Sequence, residues 1–473
     1  MSEAWAFADH RIFESDDGEG GALVFGADHA SLFAIDRATR EAIERWRDRA
    51  PIVLDDVPQD DRDVLDALAG AQLLVPAARL GRRPRAPIDP AAVPLGTLVL
   101  EAAQTCNLRC TYCYAGGGSY GGEARVMRPD LAARAARHLV LSSGARETVT
   151  MVLFGGEPLM NLPALRAAVA AGEAAAMEHG KTFVVSITTN GTRFSPEALD
   201  FIAEHRIGVS VSIDGPPDLH DANRRYAGRN GGGTYADVVE GVARLTERTG
   251  RPPAARVTLE PRQWSRIPEV FEHVRSLGFL EVAIAPSSPV TAALLPTPED
   301  EAALLAGFTS LAHRFVEEAA GARVLPFSNL LDLLAKLHQG DVKAEPCGAG
   351  LGYVAMDAVG DFFLCHRFAG DAKFRVGSLD AGIDHAKIRA CLDEQAAPRA
   401  SGCSTCWARS LCAGGCHYEN HQRESVLGLA QGGSCDFIRS WIELGIRVYG
   451  RLREDAGHPV LAFLGARASA ESR

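Results

Sequence analysis

Between residues 114 and 346 the chain has no cysteine, although it holds eleven in all. It also lacks any run of about 18 apolar residues, so no membrane span is expected. Its start, MSEAWAFADHRIFESDDGEGG, has no basic leader followed by an apolar stretch, so a secretory signal is not expected and a cytosolic location is. Basic residues are in deficit. There are 49 Lys and Arg against 60 Asp and Glu, a net charge of -11, which argues against generic nucleic-acid binding. In a cytosolic chain, cysteines are not expected to form disulfides. Their bunching is better read as metal binding, with three at 106, 110 and 113 and eight between 347 and 435.

A length of 473 residues suggests about three domains. Residues 1–76 read as a small N-terminal unit. Three strand-like runs, HRIFES, GALVFG and SLFAI, precede a helix capped by Asp36, with Ala38, Ala42, Ile43 and Trp46 at helical spacing. A second helix is expected near DVLDALAG, where Val64, Leu65 and Leu68 share a face, and Leu73–Val75 suits a final strand. The pattern fits a winged-helix domain that presents a strand edge to an extended peptide, or a packed unit of no special role. Residues 77–94, AARLGRRPRAPIDPAAVP, read as a stiff, solvated linker, whose Arg82, Arg83 and Arg85 could attract an acidic peptide.

From residue 95 the pattern alternates. GTLVLEA, TVTMVLF, TFVVSIT, IGVSVSI, ARVTL and LEVAIA suit strands, each followed by a helical or loop segment. Six β–α units to about residue 320 predict a partial (β/α)6 TIM-like barrel, with its chemistry at the carboxyl ends of the strands. The first cysteines follow the first strand. Helical stretches are expected over 298–321 and 330–338, a cysteine-rich unit over 321–445, and a helix with a mobile tail over 446–473.

The stretch TCNLRCTYCY spaces Cys106, Cys110 and Cys113 as C-x3-C-x2-C. Zinc would need a fourth ligand close by, and the nearest histidine in sequence is His138. Three thiolates on a four-iron cluster would instead leave one iron open to a ligand. With Tyr112 before the last cysteine, the triplet resembles the radical SAM enzymes. The resemblance implies S-adenosyl-L-methionine on the open iron of a 4Fe-4S cluster, cleaved reductively to a 5'-deoxyadenosyl radical that takes hydrogen from an unactivated carbon. Gly155-Gly156-Glu157-Pro158 resembles that family's GGEP element, which implies that Glu157 meets the cofactor amine. SITTNGT and SIDGPPDLHDANR resemble two further strand-end elements, implying cofactor contacts at Ser186, Asn190, Ser212, Asp214 and Arg224.

The later cysteines run Cys347, Cys365, Cys403, Cys406, Cys412, Cys416, Cys435, with Gly360 giving G-x4-C before Cys365. Alone, C-x2-C-x5-C-x3-C could be a zinc knot. In this order the seven resemble the SPASM extension, which implies two auxiliary 4Fe-4S clusters and so three clusters in the chain. Cys403, Cys406, Cys412 and Cys435 are implied for the outer one, and Cys347, Cys365 and Cys416 for the inner one. The inner set lacks a fourth thiol. Cys391, within KIRACLDEQ, reads as a buried bystander, with ligation of the inner cluster the alternative.

Anaerobic sulfatase maturases resemble this layout but carry aspartate after the G-x4-C cysteine, where this chain has His366 in CHRF. CHRF resembles thioether-forming maturases, in particular the quinohemoprotein amine dehydrogenase maturation family. That resemblance implies crosslinking of cysteine sulfur to Asp or Glu side-chain carbons in a ribosomally made peptide or small protein subunit. It also implies a RiPP recognition element at the N-terminus and an electron donor such as flavodoxin or ferredoxin. His366 could tune the inner cluster or move a proton, or be structural. Alternatives are another SPASM modification (a Cα thioether, a carbon–carbon crosslink or formylglycine) and a non-catalytic escort that grips a peptide.

Overall fold

The computed structural model describes residues 3–14, 20–80, 87–228, 231–396, 400–428 and 435–471. Arg82, Arg83 and Arg85 lie outside these residues. The core is a sheet whose first six strands are all parallel: β1 Thr97–Gln104, β2 Thr148–Gly155, β3 Thr182–Thr189, β4 Gly208–Ser212, β5 Ala254–Leu259 and β6 Val282–Pro286. They lie side by side in sequence order, the arrangement expected of successive β–α units. The crossovers include α1 Pro129–Leu141, α2 Leu162–Glu178, α3 Pro196–Glu204, α4 Tyr235–Thr249 and α5 Ile267–Ser276.

Alternation along each strand sorts the side chains. Val149, Met151 and Leu153 of β2 and Val185 and Ile187 of β3 are buried against the helices. The helix layer sits close because Gly172 of α2 leaves room for Phe183, whose ring would lie 2.2 Å from a Cβ at that position. The intervening residues face the other way, into the interior of the curved sheet.

Beyond β1 the sheet continues through β7 Tyr353–Met356, parallel to β1, and then antiparallel through β8 Asp361–Phe363 and β9 Arg375–Ser378. The segment with the later cysteines is therefore an extension of the barrel sheet. It places Cys365 two residues past β8.

At the N-terminus the three expected strands form an antiparallel meander, His10–Glu14, Ala22–Gly26 and Ser31–Ile35. The helix that follows is capped as anticipated, with Thr39 N donating to Asp36 Oδ1 at 2.8 Å. A strand absent from the sequence reading, Ala4–Phe7, pairs with Ile52–Val53 and with Leu74–Pro76. Four residues give too short an alternation to read. The unit has its own small core around Val24, Ile43, Leu65 and Leu68. Phe13 and Phe25 belong to the main core instead, and both set their rings edge-on to Trp407, between Cys406 and Cys412. Arg409 ties the same loop to Asp9 at 2.8 Å and to Asp28.

The expected mobile tail is a correction. Pro459–Glu471 is a helix with Val460 and Leu464 buried, and Arg467 donates to Glu281 and Asp332. The apolar residues of VLAFLG make an anchoring face for a helix that returns to the body of the protein. Among the described residues, no helix is long and apolar enough to cross a membrane.

Candidate functional site

The loop after β1 carries Cys106, Cys110 and Cys113. It is held from three directions. Leu108–Cys110 pairs antiparallel with Arg224–Tyr226, which sets Arg224 opposite Cys110. Leu108 N donates to Cys106 Sγ at 3.4 Å and Gly117 N to Cys113 Sγ at 3.4 Å. Asn190, at the end of β3, points Nδ2 at Cys106 Sγ (3.7 Å) and at Asn107 Oδ1 (3.0 Å). Backbone and amide N–H groups aimed at sulfur are what a cluster-bound thiolate accepts. Burial pushes the Cys106 thiol up to about 11 and Cys110 up to about 12, so both protons stay on until a metal displaces them.

The glycines of Gly155-Gly156-Glu157-Pro158 are demanded by close approach to the chain's own cysteine loop. A Cβ on Gly155 (φ +131°) would meet Ala103 O at 2.4 Å, and one on Gly156 would meet Thr105 O at 2.2 Å. Glu157 is wholly buried and turned inward. Thr189 Oγ1 (2.8 Å) and Leu159 N (3.1 Å) donate to its Oε1, and Asn190 N (2.8 Å) donates to Oε2. Its side chain thus links the ends of β2 and β3. Burial raises its carboxyl to about 7 against the pull of those three donors. Pro158 is buried and opens the turn that follows.

A second buried cluster braces the loop from β4. Tyr112 donates to Asp214 Oδ2 at 2.5 Å, Arg224 Nε donates to the same oxygen at 3.0 Å, and Thr258 N donates to Oδ1 at 3.0 Å. Burial opposes the charge of Arg224, but Asp214, together with Tyr112 and Cys110, outweighs it and holds the guanidinium above its ordinary range. Ser186 and Ser212 are half-buried on the interior side of β3 and β4. The structure therefore gathers Glu157, Asn190, Asp214 and Arg224 around the trio. Tyr112, the aromatic noted before the last cysteine, joins them, and so, unforeseen, do Asn107 and His220, whose Nδ1 accepts from Asp214 N at 3.2 Å while its Nε2 lies 2.9 Å from Thr234 Oγ1. Tyr112 was marked in sequence by its place before the last cysteine, but a lone asparagine or histidine gives no such signal.

Cys347, Cys365, Cys403, Cys406, Cys412, Cys416 and Cys435 all line one cavity of about 1300 Å³. Their mutual influence falls into two groups. Beyond burial, Cys416 and Cys347 act on Cys365, which rises to about 12, whereas Cys435 and Cys406 act on Cys412. Among the described residues no three His, Cys, Asp or Glu converge tightly enough to share one metal ion. Donors to a cluster each bind their own iron and need not converge, so this donor set fits clusters better than zinc. Cys391 is buried elsewhere, with its Sγ 3.9 Å from Lys373 O.

His366 faces the cavity. Tyr353 Oη lies 2.5 Å from its Nδ1, and its ring packs on Phe154 of β2 at 4.9 Å. Burial, then Arg367 and Arg256, lowers it to about 3, so the imidazole is neutral near pH 7. Arg367 pairs with Glu419 at 2.5 Å and lies over the ring of Tyr114. Deep beside β1, Glu101 is wholly buried. Burial raises its carboxyl well above the ordinary range, and the Tyr120 hydroxyl is its neighbour.

A carboxyl-end loop of three thiols on a parallel sheet, extended into a seven-thiol cavity, defines a class that comparison with known proteins makes explicit. The model of the Radical SAM superfamily matches residues 100–259, so the chain carries a radical SAM domain. The serine-type anaerobic sulfatase-maturating enzyme of Bacteroides thetaiotaomicron is 32% identical over 32% of this chain and 37% of its own length. Pre-heme d1 synthase of Dinoroseobacter shibae is 30% identical over 38% of this chain and 40% of its own length. The chain thus spans well under half the length of these curated relatives. In fold, the solved structure of anSMEcpe with bound AdoMet covers 78% of this chain at TM-score 0.65 and 19% identity, matched over 98% of its own length. Streptococcus suis SuiB bound to precursor peptide SuiA covers 91% at TM-score 0.52 and 13% identity, matched over 99% of its own length. The shared architecture is a parallel α/β core with the SPASM-type extension.

Proposed function

We propose that this protein is a radical S-adenosylmethionine peptide maturase. In this reading it joins a cysteine sulfur of a ribosomally made peptide or small protein subunit to an Asp or Glu side-chain carbon. The observation that carries it is the cavity lined by seven thiols, which reaches the interior face of the same sheet that holds the three-thiol loop at its carboxyl end. A solved neighbour in fold holds a precursor peptide, in keeping with a peptide partner.

Cys106, Cys110 and Cys113 would hold the cluster that binds S-adenosylmethionine. Cys403, Cys406, Cys412 and Cys435 would hold an outer auxiliary cluster, and Cys347, Cys365 and Cys416 an inner one with an iron left for a substrate thiolate. When bound, these groups supply a one-electron reductive cleavage that abstracts a substrate hydrogen atom, and an acceptor for the electron released as the carbon–sulfur bond forms. The chain's own work is positional. Glu157 and Asn190 fix the trio loop against β2 and β3, and the Tyr112–Asp214–Arg224 cluster fixes it against β4. That division assigns Glu157 to holding the loop, with only Oε2 retaining an acceptor position that a cofactor amine could use. The interior side chains at Ser186 and Ser212 leave room for a ligand. Neutral His366, its ring oriented by Tyr353, would tune the inner cluster by hydrogen bonding. The N-terminal unit, seated on the Cys406–Cys412 loop, would present the peptide. Flavodoxin or ferredoxin would supply the electron.

Kinship with sulfatase-maturating enzymes favours a second reading, oxidation of a serine or cysteine to formylglycine. His366, where those enzymes carry an aspartate base, weighs against it. Anaerobically reconstituted, reduced protein is expected to release 5'-deoxyadenosine from S-adenosylmethionine. With its substrate peptide, to be sought among small cysteine-containing reading frames beside its gene, it should remove iodoacetamide-reactive thiols and lower the peptide mass by two hydrogens per crosslink. Absence of 5'-deoxyadenosine would favour a peptide-binding escort, and unchanged thiols with the same mass loss would favour carbon–carbon crosslinking.

A further inference from the structure

Arg256 stands in the middle of β5, paired in register with Ser212 of β4 and Ala283 of β6. Its neighbours Ala255 and Val257 are buried against the helices, so Arg256 projects into the sheet's interior and lines the seven-thiol cavity. The positions around it on that face are small. Ser210 and Ser212 lie on one side, Ala283 and Ala285 on the other. Its long side chain therefore enters open space.

Most arginines lining the cavity are already matched. Arg367 pairs with Glu419 at 2.5 Å, Arg439 with Asp436 at 2.5 Å, and Arg409 with Asp9 and Asp28. Arg146 donates to Pro94 O at 3.1 Å. Arg256 and Arg423 have no ion pair or side-chain hydrogen bond among the described residues, and of the two Arg256 is the one carried on the sheet. Its guanidinium is exposed in the open cavity and free to receive a ligand. Partial desolvation and then the like charge of Arg367 weaken its hold on its proton, opposed in part by Asp332. A planar five-donor fork of this kind is suited to a carboxylate, which it can grip with two parallel hydrogen bonds. Of the charged groups that act on it, Arg367 is a like charge already paired with Glu419, and the carboxylate of Asp332 is already paired with Arg467 at 2.7 Å.

The geometry points to Arg256 as the specificity residue of the cavity, the docking point for the side-chain carboxylate of the substrate's Asp or Glu. This rests on the peptide-maturase reading and deepens it. Held there, the acidic side chain would lie across the interior between β5 and the wall carrying Cys365 and His366. The carbon beside the carboxylate would then face the sulfur held on that wall. Selection of acidic over amide side chains would follow from the neutral isostere's inability to balance the guanidinium.

The probes are N-acetyl-L-glutamic acid α-amide and its neutral isostere, N-acetyl-L-glutamine α-amide, added to the cluster-loaded enzyme. Modification of Arg256 by p-hydroxyphenylglyoxal is read by peptide mapping. The acidic fragment is expected to protect Arg256 at a concentration at least about tenfold lower than the neutral one, as expected for a charge-assisted contact. In R256Q, ligand-observed NMR should show the preference between fragments lost, with R256K retaining part of it. Equal protection by both fragments overturns the inference. So does protection by S-adenosylmethionine alone together with weakened S-adenosylmethionine binding in R256Q, which would assign the guanidinium to the cofactor's carboxylate. Failure of the maturase reading shows separately, as absent 5'-deoxyadenosine whatever the fragments do.

Discussion

At the scale of single residues, contact with the chain's own backbone explains the GGEP element better than its sequence context does. Gly156 is pinned by Thr105 O, so Gly156→Ala must move the cysteine loop or the end of β2. A cost of about 2–3 kcal/mol in stability is expected, with loss of S-adenosylmethionine cleavage of about 100-fold or more; thermal unfolding and 5'-deoxyadenosine release measure the two. Glu157 gives a pH signature. Its folded value of about 7 stands above the ordinary 4.5, so the native state holds a proton that the unfolded state has lost. That favours folding at acidic pH, and the stability is lost as pH rises from about 4.5 through about 7, by about 3 kcal/mol in total. Glu157→Gln should remove that slope in denaturant titrations between pH 5 and 8. A slope equally steep in the variant would place the titrating group elsewhere. The presence of these residues was legible from C-x3-C-x2-C and GGEP. The inward turn of the Glu157 side chain was not, because its three donors come from positions 159, 189 and 190.

At the scale of elements, the six strands were legible because each is a short run rich in β-branched residues with a clear boundary, alternating between a helix-facing apolar side and an interior side. The strand at Ala4–Phe7 and the helix at Pro459–Glu471 were not. Both depend on partners distant in sequence, Ile52–Val53 and Leu74–Pro76 for the first, Glu281 and Asp332 for the second. The seating of the N-terminal unit on the auxiliary-cysteine loop is likewise non-local. Trp407→Ala should remove the aromatic contact with Phe13 and Phe25 at a cost of about 2–4 kcal/mol. Hydrogen exchange is expected to speed up in strands His10–Glu14 and Ala22–Gly26 while β1–β6 keep their protection. Uniform loss of protection would mean that the unit and barrel unfold together.

At the scale of the whole molecule, iron stoichiometry tests the division of the cysteines. Three 4Fe-4S clusters amount to about twelve irons per chain. Cys391→Ser should leave that number unchanged, since its thiol lies outside the cavity that gathers the other seven. Replacing Cys347, Cys365 and Cys416 together by alanine should remove about four irons yet leave 5'-deoxyadenosine release in place, because the trio at 106, 110 and 113 is untouched. Loss of iron in Cys391→Ser would instead make it the missing fourth ligand.

The sequence alone determined the chemistry that is possible. Cysteine spacing is a local property, and so is the alternation that builds β–α units, because both arise from residues within one turn or one strand of each other. Tertiary structure decided which surfaces that chemistry faces. Seven cysteines spread over nearly ninety positions come to one cavity only because β7 adds to the barrel sheet beside β1. Arg256 comes to line that cavity without an ion pair among the described residues only because β5 lies between β4 and β6 with its even-numbered residues turned inward. Such charge balance is set across strands, between residues that the linear chain holds far apart.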